Sequence, residues 1–129
     1  MRIPGRAFVH GAVVVFALAL SGPVVAVGSA ASFPAPLQGV WEPYLPCDTG
    51  ETSDSDSRFE ITRSQRLNYE EIEDIVSAEL LTESPLTWRI VTTSDVGPLE
   101  LEQPFIYVLK DDRLAVNDGQ SARMYARCK

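Results

Sequence analysis

Arg113-Leu114-Ala115-Val116 and Ala122-Arg123-Met124-Tyr125-Ala126-Arg127-Cys128 are two β-prone runs separated by Asn117-Asp118-Gly119. Asparagine, aspartate and glycine tolerate the positive φ that a tight connection demands, so these residues read as a hairpin. Immediately upstream, Phe105 to Leu109 is another strongly β-prone run, and Asp111-Asp112 supplies the turn that joins it to the hairpin. Leu86 to Thr93 places Leu86, Trp88 and Ile90 on one face and Thr87, Arg89 and Val91 on the other, and Gly97-Pro98 ends it.

Further toward the N-terminus, Phe59 and Ile61 alternate with Glu60 and Thr62, and Leu67 and Tyr69 flank Asn68. Both read as short half-buried strands. Leu37 to Trp41 has strand character, and Pro43 and Pro46 forbid a regular ladder beyond it. Pro104 belongs at an edge or a bulge for the same reason. Glu70 to Leu81 fits a helical face through Ile72, Ile75, Val76, Glu79 and Leu80 about as well as it fits a strand. Its neighbours are all strands, so a strand with one short helix close behind is expected across 70–81. The fold class is therefore all-β, a small antiparallel barrel or sandwich of about seven short strands.

Residues 1–31 read as a secretory signal peptide: Arg2 and Arg6, an apolar run from Ala7 to Leu20, a Gly22-Pro23 break, then small residues. Cleavage is expected after Ala31, with Ala30 and Ala26 as alternatives, and the competing reading is an uncleaved anchor extending to Val27. No cysteine sits near the cleavage site to carry a lipid. The expected destination is the periplasm or the exterior, with no membrane span after cleavage. Residues 32–36 read as a flexible leader, and 37–129 as one small domain carrying a long acidic loop, 48–57, which contains no hydrophobe. Loss of Arg2 and Arg6 takes the formal net charge from −7 to −9, because no acid leaves with them. Such a surface repels nucleic acid and favours basic partners.

Two cysteines, Cys47 and Cys128, bracket the domain in a compartment that permits disulfides. An intramolecular bridge is expected; it would stabilise by roughly 4 to 5 kcal/mol on the chain-entropy model. An intermolecular pair or reactive thiols are the alternatives, and the absence of a Cys-x-x-Cys pair argues against a redox role.

The only histidine, His10, lies in the signal segment. Histidine-based triads, Cys-His pairs and His-ligated zinc are thereby excluded from the exported chain. Glu70-Glu71 and Asp111-Asp112 are adjacent acids, but neighbours in a strand point to opposite faces and so do not make the facing pair of a two-carboxylate hydrolase. Asp48, Glu51, Asp54 and Asp56 offer oxygens to calcium, yet the glycine and closing glutamate of an EF-hand loop are missing and a solvated loop is the simpler reading. No cofactor is expected. Among the aromatics, Trp88, Tyr107 and Tyr125 either fill a core or line an apolar cup for a ligand.

Gly39-Val40-Trp41 resembles the Gly-x-Trp opening strand of lipocalin-like barrels, and Tyr125-Ala126-Arg127-Cys128 resembles the closing strand of small exported bacterial proteins with that start. The resemblance implies that Trp41 packs across the barrel base and that a late-strand arginine, Arg123 or Arg127, covers it. The chain departs from those relatives in lacking a further cysteine pair in its middle, and it is shorter than a full lipocalin, which argues against a deep cavity. The expected function is a non-enzymatic, monomeric binding or envelope-associated barrel for a small molecule or a basic protein. The alternative is an inhibitor of a basic enzyme such as lysozyme, and a small carboxylate hydrolase comes third.

Overall fold

A computed structural model describes residues 30–43 and 56–129. A single 3-10 turn, Ala35–Leu37, precedes eight strands: β1 Gly39–Glu42, β2 Phe59–Ile61, β3 Gln65–Asn68, β4 Glu71–Glu83, β5 Leu86–Ser94, β6 Glu102–Lys110, β7 Arg113–Asn117 and β8 Ala122–Cys128. Each strand pairs antiparallel with the next, and β8 returns to β1, so the sheet closes into a barrel in chain order. Closure removes the sheet edges except along β4 beyond Asp74, where pairing with β3 ends.

Cross-strand register fixes which side chains enter the barrel. Leu86 stands opposite Leu109, Leu109 opposite Leu114, and Leu114 opposite Tyr125. A second row runs through Trp88, Tyr107, Val116 and Arg123. On the other side, Trp41 faces Phe59 and Arg127, while Ile61 faces Arg66 and Arg66 faces Glu73. Trp41, Leu37, Ile90, Tyr107 and Leu114 are fully buried, and Trp88, Phe59 and Phe105 join them in one continuous core. The faces read from sequence for Leu86, Trp88 and Ile90 are the faces they occupy.

β4 is a strand throughout, and no helix follows it. Its pairing with β5 slips between Ile75 and Ser77 and again between Leu80 and Thr82, leaving Val76 and Leu81 as extra residues. Each β-bulge advances the alternation by one position. Two such insertions in one strand spread the apolar residues at intervals that imitate a helix, which is why the sequence pattern there was ambiguous.

Three further expectations are corrected. The leader at 32–36 is packed: Phe33 is buried, its N–H donates to the Arg63 carbonyl at 2.8 Å, and Ala35–Leu37 forms the 3-10 turn. Two prolines here rigidify a plug. Leu67 is only half-buried and Tyr69 is exposed, because the tight turn at Tyr69-Glu70, where Glu70 has φ 56°, puts Arg66 and Asn68 on the inward row instead. β1 begins at Gly39, later than Leu37, because Leu37 completes the plug. Pro104 pairs with Val91 beyond the last β6–β7 partner pair, Ile106 and Asn117, so it sits at the local edge its missing N–H requires.

Most of the expected signal peptide and most of the acidic loop, including Asp48, Glu51 and Asp54, lie outside the described residues, as does Cys47. Cys128 ends β8 opposite Val40. No helix among the described residues is long and apolar enough to cross a membrane.

Candidate functional site

The two ends of the barrel differ. At one end, the indole N–H of Trp41 donates to the Leu37 carbonyl at 2.9 Å, tying the 3-10 turn beneath the barrel. The Arg127 guanidinium lies 4.3 Å from the Trp41 ring centroid. Its Nη1 donates to the Gln38 carbonyl at 2.9 Å, and its Nη2 donates to the Pro36 carbonyl. Asp112 completes the clamp, accepting Arg127 Nε at 3.3 Å and Lys129 Nζ at 2.9 Å. Lys129 and Arg127 hold the Asp112 carboxyl below its usual range. Gly39 makes the arrangement possible. Its φ is +131°, and a Cβ there would stand 3.1 Å from Arg127 Nη1. Of the two candidate arginines, Arg127 covers the tryptophan, and Arg123 lies toward the opposite end.

The barrel interior holds a buried polar group. Arg66 Nη1 donates to the Tyr107 hydroxyl at 2.9 Å, and its Nε lies 3.5 Å from Glu73 Oε2 without a hydrogen bond. The guanidinium also stacks 4.1 Å from the Phe59 centroid and 5.8 Å from that of Phe105. Asn68 donates to Glu73 at 3.2 Å. Burial, outweighing Arg66 and Asn68, pushes the Glu73 carboxyl up, and burial likewise pushes the Tyr107 phenol up to about 12. Tyr107 therefore stays neutral across the physiological range. Trp88 and Tyr107 are core residues, the second of them committed to Arg66.

At the other end a cavity of about 270 Å3 opens, lined by Arg66, Phe105, Val116, Arg123 and Tyr125 with Asp118 and Ser121 at the rim. Tyr125 packs edge-on against Phe59 with centroids 4.7 Å apart, so its ring is fixed from beneath. Neither Arg123 nor the Tyr125 hydroxyl has a hydrogen-bond or ion-pair partner among the described residues. Asp118 caps the β7–β8 turn, accepting the backbone N–H groups of Ser121 at 2.7 Å and Gln120 at 2.8 Å, which hold its carboxyl below the usual range.

The acidic pairs make no facing dyad. Glu71 accepts the Ser94 hydroxyl while Glu70 is exposed in its turn, and Asp112 serves the Trp41 clamp while Asp111 is exposed. Among the described residues no group of three or more acids, cysteines or histidines can hold a metal, and Asp56 is exposed. Sequence reading missed Arg66. The signal was its placement: Arg66 and Glu73 are equidistant from the Tyr69-Glu70 turn, so a hairpin there must bring the opposite charges together. Comparison with known protein families, curated proteins and solved structures finds no match to this chain.

Proposed function

We propose that this chain is an exported, lipocalin-like binding barrel without catalytic activity, and that it takes a small molecule at its open end rather than deep inside. One observation carries the reading: side chains fill the barrel axis from Trp41 to Tyr107, while the open end keeps a cavity of about 270 Å3 floored by fixed aromatic rings. Concave sites with convergent polar groups are where small ligands bind, and the lining here is mainly polar, with Arg66, Arg123, Asp118 and Ser121 beside Phe105, Val116 and Tyr125. The Gly39–Trp41–Arg127 clamp supports the lipocalin-like resemblance by its geometry. Export and a Cys47–Cys128 bridge belong to the same reading, since a small barrel outside the cytoplasm gains most from a covalent staple.

A thermal-shift screen against apolar and anionic small molecules tests it, repeated on Ser121→Trp, which fills the open cavity from its rim. Stabilisation of the parent by at least one ligand, lost in the variant, is expected. A ligand that stabilises both equally would place binding elsewhere.

A second reading has its own support. Beyond Asp74, the last residue paired with β3, the run from Val76 to Glu83 is exposed, with Val76, Leu80 and Leu81 beside Glu79 and Glu83. An apolar, acidic strand of this kind suits a basic protein such as lysozyme. Undiminished lysozyme turnover at an equimolar ratio removes that partner.

A further inference from the structure

The open-end cavity combines three features that together specify a ligand class. The first is cationic. Arg66 is held by Phe59, Tyr107 and Glu73 so that its side chain is only 11% exposed, yet it lines the cavity and its Nη2 has no hydrogen-bond partner among the described residues. Arg123 reaches the same cavity from β8 on the inward row, opposite Val116. It has no partner among the described residues, in a chain whose formal net charge is −7, where acids outnumber bases. A guanidinium fork with free donors matches a carboxylate, which accepts two parallel hydrogen bonds.

The second feature is a narrow apolar strip in a mainly polar lining. Phe105, Val116 and Tyr125 line the same cavity, each more than nine-tenths buried, and the Tyr125 hydroxyl has no hydrogen-bond partner among the described residues. A flat ring is the complement to such a strip, because edge-on aromatic contact needs little exposed area and adds to simple area burial. The third is Asp118, whose carboxyl is kept ionised by the Ser121 and Gln120 amides and which borders the same space. It opposes a second negative charge on the ligand.

Resting on the open-end binding proposed above, we infer that the ligand is a small monoanionic carboxylic acid with a flat ring system, its carboxylate between Arg66 and Arg123 and its ring against Phe105, Val116 and Tyr125. Glu73 and Asp118 are the acids of the site: Glu73 is spent on orienting Arg66 from behind, and Asp118 sets the charge limit.

Isothermal titration of the purified protein with 1-naphthoate, 1-naphthylmethanol and 1-naphthyl phosphate at pH 7.5 tests this. The three share a ring and differ in carrying one negative charge, none, or nearly two. Naphthoate is expected to bind roughly tenfold or more tightly than the alcohol, as a hydrogen bond to a charged group implies, and no less tightly than the phosphate. Arg123→Met should lower naphthoate affinity by roughly tenfold while leaving the alcohol within about twofold. Arg123 is exposed, so the variant keeps its fold, and an unchanged unfolding midpoint checks this. Equal binding of acid and alcohol, unaffected by Arg123→Met, overturns the carboxylate inference while leaving open-end binding intact. Tighter binding of the phosphate overturns the charge limit. Binding of none of the three overturns the inference; if the broader screen also finds no ligand lost in Ser121→Trp, open-end binding falls with it.

Discussion

Replacing Arg127 by methionine separates the clamp at the closed end from the rest of the barrel. Methionine keeps much of the stem's packing and removes the guanidinium. Two hydrogen bonds from a charged donor, to Gln38 and Pro36, are lost. Because the arginine side chain is 22% exposed, each is discounted to about 1 to 1.5 kcal/mol, just below the range for hydrogen bonds to charged groups. The stacking over Trp41 at 4.3 Å adds about 0.5 to 1 kcal/mol. Asp112 is half exposed and contributes at most a few tenths of a kcal/mol more. The loss should total about 3 kcal/mol in equilibrium urea denaturation, accompanied by a change in the near-ultraviolet signal of Trp41. Arg123→Met, with no partner to lose among the described residues, should stay within about 0.5 kcal/mol of the parent. A loss below about 1 kcal/mol for Arg127→Met, or equal losses for the two variants, would refute the assignment of Arg127 to the tryptophan.

Gly39→Ala forces a side chain into a backbone with φ +131° and 3.1 Å from Arg127 Nη1, so a loss of about 1 to 3 kcal/mol is expected by the same denaturation assay. Tyr107 has its folded pKa raised to about 12 against an ordinary 10.0, so between those values the native state holds a proton that the unfolded chain has released. Stability must therefore fall as pH rises through that window, and Tyr107→Phe should flatten this part of the pH–stability curve relative to the parent. An unchanged slope would show that another group titrates there. If Cys47 and Cys128 are bridged as proposed, reductant should lower the urea midpoint by an amount corresponding to at most about 4 to 5 kcal/mol, and Cys128→Ser should abolish the reductant effect.

Where alternation was unbroken, the sequence was sufficient to place strands and faces: Leu86, Trp88 and Ile90 point inward, and residues 113–128 form the hairpin read from their turn chemistry. Legibility failed where a tertiary contact overrode a local rule. The two bulges of β4 disguised a strand because the extra residues are defined by their partner strand and leave no mark in local composition. Pro34 and Pro36 look like leader residues until Phe33 and Leu37 are seen to cap the barrel. The choice between Arg123 and Arg127 turned on register: both lie on the inward row of β8, but only Arg127 pairs with Trp41. Arg66 was hidden because a charged residue is not expected inside a small barrel. It is there because Tyr107, Glu73 and two aromatic faces surround it.

Ligand binding at the open end, above a filled core, is the central claim, and amide chemical-shift mapping during titration with 1-naphthoate tests it most directly. Shifts should concentrate at Phe105, Val116, Arg123 and Tyr125, with Leu37, Trp41 and Leu86 unmoved. Shifts centred instead on Leu37, Trp41, Leu86 and Leu109 would contradict it, because they would put the ligand in the end that Trp41 and Arg127 close.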